Sequence, residues 1–281
     1  MSLAVTQAQL VLAAATVLVL AAVELSKSWR WRVLLPRGMG DFPRCLRALV
    51  AGQLANALAP IRGGDVLSVG LLRIEGGSLV AGAATLAGTK GLDAIGLAAI
   101  AVVVLGFALP NVSWTIAALV LVAVGLFVAW RAGWLARLLS TRIGGRLRLA
   151  DLGASVAALR RPQILAVVLL ASAIVWLAGG AANWLVLLSA GVPPTVDLAA
   201  RVLVAGYIAG MLPAPPARIG VFEGAIVAAL SSAGIGFNQA LTVAVTLHIC
   251  QLVEFGCLLA ASLLLSRSSW RRTAPAQMRV S

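Results

Sequence analysis

Five long apolar runs organise the chain. They cover about residues 3–23, 79–107, 112–130, 163–190 and 238–265, and each reaches the ~20 residues that carry a helix across a bilayer. Between them lie two shorter apolar pieces, 48–58 and 202–212, each stopped by prolines. The first closes on Pro60-Ile61-Arg62-Gly63-Gly64, the second on Pro213-Ala214-Pro215-Pro216-Ala217-Arg218. Neither is long enough to cross alone, and each is followed by another modest segment, 65–78 and 219–233. The pattern predicts an all-α polytopic integral membrane protein. It has five full spans plus two opposed re-entrant helical hairpins, about 47–78 and 201–233, in a single transmembrane domain over 1–281.

Composition excludes a soluble reading. Hydrophobic residues make up 61% and charged residues 11% of the 281, and the mean hydropathy is +1.02. A compact globule cannot bury that many apolar side chains and keep a soluble surface. Charge is lopsided: 22 Lys and Arg against 9 Asp and Glu give +13. Its distribution reads as topology. Six basic residues fall in 26–47 (Lys27, Arg30, Arg32, Arg37, Arg44, Arg47), seven in the loop 131–161, and four in the tail 266–281. The stretches 108–113, 191–200 and 234–237 hold none.

The positive-inside rule makes the rich stretches cytoplasmic. The N-terminus is then outside, the C-terminus cytoplasmic, and the two hairpins enter from opposite faces. No basic residue precedes the first run, the reverse of a signal peptide, so it reads as a retained helix. Trp29, Trp31, Trp114, Trp130, Trp134 and Trp270 flank helix ends as an aromatic belt, whereas Trp176 and Trp184 fall inside a run. The loop from Arg137 to Arg161 carries leucines and Ile143 among its arginines and reads as an interfacial amphipathic segment. Basic residues at helix ends form no folded basic face, so nucleic acid is not a partner.

The hairpins resemble each other. Arg47-Ala48-Leu49-Val50-Ala51-Gly52 aligns with Arg201-Val202-Leu203-Val204-Ala205-Gly206, five identities in six. Both continue to prolines, an Arg (Arg62, Arg218), a Gly (Gly64, Gly220) and an acid (Asp65, Glu223). Paired broken segments in inverted halves point to a transporter site near the midplane. Broken backbone at membrane depth survives only inside protein or around a wet cavity. Two such tips meeting would line that cavity with Arg62 and Arg218, and guanidinium groups pair bidentately with phosphate. Either Arg alone could instead snorkel to the interface.

Other polar residues lie within the apolar runs. Lys90 and Asp93 are three apart, share a helix face and can pair, as a site or as a structural ion pair. Glu223 and Glu254 could relay protons or pair with Arg218 or Lys90. His248, Asn56 and Asn183 complete the set. One His and the scattered Cys45, Cys250 and Cys257 make no metal centre. No cofactor motif and no nucleophile–base constellation is present.

Three elements carry a resemblance. Pro60-Ile61-Arg62-Gly63-Gly64-Asp65 resembles a P-x-R-x-G-E motif, Ile219-Gly220-Val221-Phe222-Glu223 a P-G-G-x-G-x-x-E motif, and Thr89-Lys90-Gly91-Leu92-Asp93 an E-R-x-x-D helix motif. In order and spacing they resemble the flippase-like transmembrane region of lysylphosphatidylglycerol synthases, over about residues 24–265. The resemblance implies movement of lipids or lipid-linked sugars between leaflets of the bacterial inner membrane. Arg62, Arg218, Asp65, Glu223, Lys90 and Asp93 would then be the substrate-binding residues. The implied partners are an anionic phospholipid or a polyprenyl- or hopanoid-type lipid, with a separate lipid-modifying enzyme. The stretch after 266 is too short for a synthase domain, so synthase activity is not expected. The chain departs from the motifs at Thr89-Lys90, where the family has Glu-Arg, and at Ala217-Arg218, where it has Gly-Gly. A membrane-embedded lipid transferase, or a non-catalytic subunit of a lipid-synthesis complex, are the rival readings.

Overall fold

The structure, a computed structural model, describes residues 6–59, 63–108, 161–212 and 215–273, with side chains up to Val102 and Leu264 in the second and last blocks. Every element among them is helical: α1 Gln7–Leu34, α2 Phe42–Leu58, α3 Gly64–Ile74, α4 Leu79–Ala108, α5 Pro162–Ser189, α6 Val196–Met211, a 3₁₀ turn Pro216–Arg218, α7 Val221–Ser231 and α8 Phe237–Thr273. Four stretches are long and apolar enough to cross a membrane: Gln7–Leu34, Leu79–Val102, Pro162–Ser189 and Phe237–Leu264. The protein is an all-helical, multi-pass membrane protein. The predicted span 112–130, most of the basic loop 131–161, the end of the tail and Arg62 lie outside the described residues.

Local chemistry sets the helix starts. Thr6 and Gln9 form a reciprocal capping box that opens α1. Asp41 caps α2, accepting from the Arg44 amide at 3.0 Å, with Pro43 in the first turn. Thr195 caps α6 in the same way. Two short helix pairs stand where the hairpins were expected. α2 and α6 have 17 and 16 residues, about 25 Å each at 1.5 Å per residue and short of a ~30 Å hydrocarbon core. Each is followed by an 11-residue helix, α3 or α7.

α1 differs from the expectation. It does not stop near residue 23 but runs on through Lys27, Arg30 and Arg32. Arg30 and Trp31 are buried, not part of a cytoplasmic loop. Most of the polar groups there find partners inside the protein, so the helix need not end. The indole of Trp31 donates to Thr85 Oγ1 at 2.9 Å, and the Arg30 guanidinium meets Asp93 and Ser172. Trp176, unexplained as a belt residue, packs on Tyr207 with ring centroids 4.9 Å apart. A Cβ at Gly96 would collide with its indole, so glycine there lets α4 and α5 approach.

There are two apolar cores. One joins Trp31 and Leu35 to Cys45, Leu49, Val69 and Leu72 of the first helix pair and Leu86 of α4. The other joins α5 and α8 to α6 and α7, with Val202, Phe222 and Ile226 at its centre and Leu20 of α1 on its flank. α1 therefore serves both. In the first pair Gly52 sits directly on α3: a Cβ there would overlap the Gly64 carbonyl oxygen and Ser68 Oγ. The aligned Gly206 faces Phe222 of α7 at ordinary contact distance. Gly52→Val is expected to force α2 and α3 apart and lower stability by about 1–3 kcal/mol, the usual range for overpacking. Thermal unfolding in detergent would read this, and Gly206→Ala should cost less.

Candidate functional site

A cavity of about 430 Å³ lies between the two cores, and all eight helices contribute to its wall. That is within the range of small-molecule pockets, about 300–1,000 Å³. Its polar groups form a graded set. On α1, Lys27 Nζ is 2.7 Å from Glu24 Oε1, three residues earlier on the same face. One turn on, the buried Arg30 reaches Asp93 Oδ1 of α4 at 2.6 Å and donates to Ser172 Oγ of α5 at 2.9 Å. In a more exposed pair, Lys90 Nζ of α4 is 3.0 Å from Asp65 Oδ1 of α3, with both side chains about half exposed. Lys90 and Asp93 thus do not pair with each other. Each is engaged by a different helix.

The second helix pair contributes its turn. Ala217 and Arg218 both have positive φ, 56° and 53°, a left-handed conformation that L-residues with a Cβ rarely take. The turn aims Arg218 across to the first pair, where its Nε donates to the Asn56 carbonyl oxygen at 3.2 Å. That carbonyl lies in the last turn of α2, among the groups a helix end leaves without an intrahelical donor. The Asn56 side chain accepts the Gly64 amide at 2.8 Å, across the break between α2 and α3. Asn56 therefore ties the two turns together.

Glu223 pairs with neither Arg218 nor Lys90 as an ion pair of its own. Its Oε2 accepts the Gly220 amide at 2.7 Å, closing the first turn of α7, and its Oε1 meets His248 Nδ1 of α8 at 2.5 Å. His248 and Glu254, six residues apart, both reach the cavity because α8 presents a wide face to it. Among the described residues no group of three or more His, Cys, Asp and Glu is placed to hold a metal ion.

A family model described as the lysylphosphatidylglycerol synthase transmembrane region matches residues 2–260. The chain belongs to that family. Neither the curated proteins nor the solved structures yield a match. Membership of the lysylphosphatidylglycerol synthase transmembrane family assigns the protein a membrane-embedded, lipid-related role. The family region includes α1, and so includes the three charges that α1 brings to the cavity.

Of the six residues singled out in the sequence, Asp65, Lys90, Asp93 and Arg218 line the cavity, and Glu223 stands one hydrogen bond behind its wall at His248. Arg62 lies outside the described residues. Glu24, Lys27, Arg30 and Tyr207 line the cavity and were not singled out. The two aligned arginines of the helix pairs also behave alike. Arg47 reaches Glu75, which ends α3, at 2.8 Å. Arg201 reaches Ser232, which ends α7, at 3.5 Å while holding Asp197 at 2.7 Å. A cation beside a helix C-terminus is favourable in each.

Proposed function

We propose that the protein moves an anionic lipid or a lipid-linked sugar between the leaflets of the bacterial cytoplasmic membrane, with the headgroup in the cavity. One observation carries this reading: a cavity of headgroup size, lined by charges, lies among helices long enough to cross a membrane, where two broken helix pairs meet. Charged side chains at membrane depth are costly and are retained where they serve a pathway. In this reading the N-terminus is outside and the C-terminus cytoplasmic. The helix pairs act as inverted hairpins entering from opposite faces, a relation that the matched contacts of Arg47 and Arg201 support.

Each residue then has a role. Arg218, with Arg62 of the first turn, binds the headgroup phosphate. The Lys90–Asp65 pair is the most exposed ion pair of the cavity set. A half-exposed pair contributes about 0–1 kcal/mol, so a phosphate can take the Lys90 ammonium from Asp65 at small cost. Asp93 and Glu223 hold Arg30 and His248 at the wall. An anionic phospholipid or a polyprenyl- or hopanoid-type lipid is the cargo class, supplied or consumed by a separate lipid-modifying enzyme.

The test is leaflet transfer of a headgroup-labelled anionic lipid in proteoliposomes, read by its accessibility to an impermeant quencher. The protein is expected to transfer it far faster than empty vesicles do. Lys90→Gln is expected to slow transfer about tenfold, the effect of losing one charge-assisted contact of ~1.5 kcal/mol. Its thermal stability should change little. Transfer no faster than in empty vesicles would sink the reading.

A further inference from the structure

We propose that Glu254 is the proton-binding site of this cavity, and that the lipid movement proposed above is coupled to the proton it carries. The inference rests on that reading for its transport half and on geometry alone for its proton half.

Glu254 stands apart from the other acids of the site. Asp65, Asp93 and Glu223 are held by Lys90, Arg30 and His248, and Glu24 is held by Lys27. Glu254 is 2% exposed, lines the cavity, and has no ion-pair partner among the described residues. Its Oε1 is buried without a hydrogen-bond partner. A buried carboxylate with no donor is far costlier than a buried carboxylic acid, and such a group takes up a proton where it can. The surroundings supply no fixed substitute for that proton. From α1, Glu24 and Lys27 are near enough to act on it electrostatically. From α2 and α5, only neutral polar groups such as Gln53, Asn56 and Asn183 line the cavity. From the turn before α7, Arg218 donates to the Asn56 carbonyl, and from α7, Glu223 is taken up by Gly220 and by His248 of α8 itself. On α4 and α6, Asp93 is committed to Arg30 and Tyr207 is a phenol.

Lys27 makes the site two-state. With a proton on Glu254, the Lys27 ammonium belongs to Glu24 alone, and the wall between α1 and α8 carries no net charge from these three groups. Without it, one ammonium faces two carboxylates, Glu24 Oε2 already being a buried oxygen without a partner. Losing the proton thus sets a second carboxylate against Glu24, whose repulsion outweighs the pull of Lys27 and drives α1 and α8 apart, and gaining it removes that repulsion. A proton and a singly charged anionic headgroup in one cavity also cross together without net charge, which lowers the cost of the passage.

Two measurements test this. The first is independent of transport: infrared difference spectra of the purified protein on changing pH. A protonated-carboxyl carbonyl band is expected in the wild type, absent in Glu254→Gln and present, shifted, in Glu254→Asp. Gln copies the shape of the protonated acid, so E254Q should elute as the folded protein. A band unchanged in E254Q overturns the proton site. The second uses proteoliposomes with the membrane potential clamped and a one-unit pH difference imposed. One proton per lipid gives about a tenfold bias of labelled lipid toward one leaflet, and E254Q is expected to lose that bias. Wild-type transfer that ignores the gradient overturns the coupling. A wild type that transfers no lipid fails the transport reading instead, and the infrared band still decides the proton site.

Discussion

Replacing Arg218 with glycine is expected to abolish transfer of a labelled anionic lipid while leaving the protein almost as stable as before. Two opposing effects set the stability. Arg218 sits at φ 53° beside Ala217 at φ 56°, and a residue with a Cβ in that region costs about 1–3 kcal/mol that glycine does not. Against this, the variant loses the guanidinium bond to the Asn56 carbonyl, a hydrogen bond from a charged group contributing about 1.5–3 kcal/mol. The two effects largely offset, leaving at most about 2 kcal/mol between them, a shift of up to about 4–8 °C in Tm for a protein of this size. Arg218→Ala removes the same bond but keeps the strained backbone, so it should unfold at a lower temperature than R218G. The order wild type, R218G, R218A in stability, with transfer lost in both variants, separates binding from folding. R218G transferring lipid at the wild-type rate would remove Arg218 from the site.

That substitution also explains why this turn was legible in the sequence and yet surprising in the structure. The family motif carries Gly-Gly at these positions, and glycine is the residue a left-handed turn favours. The chain keeps the turn and gives up the glycines, gaining a cation aimed at the other helix pair. The two helix pairs were readable for a similar reason: proline and glycine interrupt an otherwise continuous apolar pattern, and their physics is local.

The charges on α1 were misread because a counting rule averages over them. Lys27 and Arg30 follow an apolar run, and by number alone they belong to a basic cytoplasmic stretch. Their spacing says otherwise. Glu24, Lys27 and Arg30 recur every third residue, which keeps them near one helix face and lets acid and base pair. An acid just ahead of the counted stretch, Glu24, was the signal that these were not rim charges. The partners themselves were not readable. Lys90 and Asp93 satisfy the same spacing rule, yet Lys90 is drawn to Asp65 and Asp93 to Arg30. Proximity within one helix was outcompeted by groups on other helices, and no local pattern encodes which helices meet. The same holds for Glu223, whose neighbours in sequence cap its helix while its other oxygen finds His248 on α8.

Asp93→Ala is expected to destabilise the protein more than any other single change considered. Arg30 is 1% exposed, and removing Asp93 leaves it with the Ser172 hydroxyl as its partner among the described side chains, its Nε being already without one. An uncompensated buried charge of this kind typically costs about 3–5 kcal/mol, or roughly 6–20 °C in Tm at this size. Most of that loss is the stranded charge rather than the pair's own contribution. The double variant Arg30→Met with Asp93→Leu, which removes both charges and keeps the volume, should therefore recover much of it. The comparison also tells a structural pair from a working one. If the double variant folds and still transfers lipid, Arg30 and Asp93 only hold α1, α4 and α5 together around the cavity. If it folds and transfers nothing, the pair takes part in the passage of the headgroup. A double variant no more stable than D93A would show that Arg30 is not stranded by the loss of Asp93 and that the burial around it relaxes.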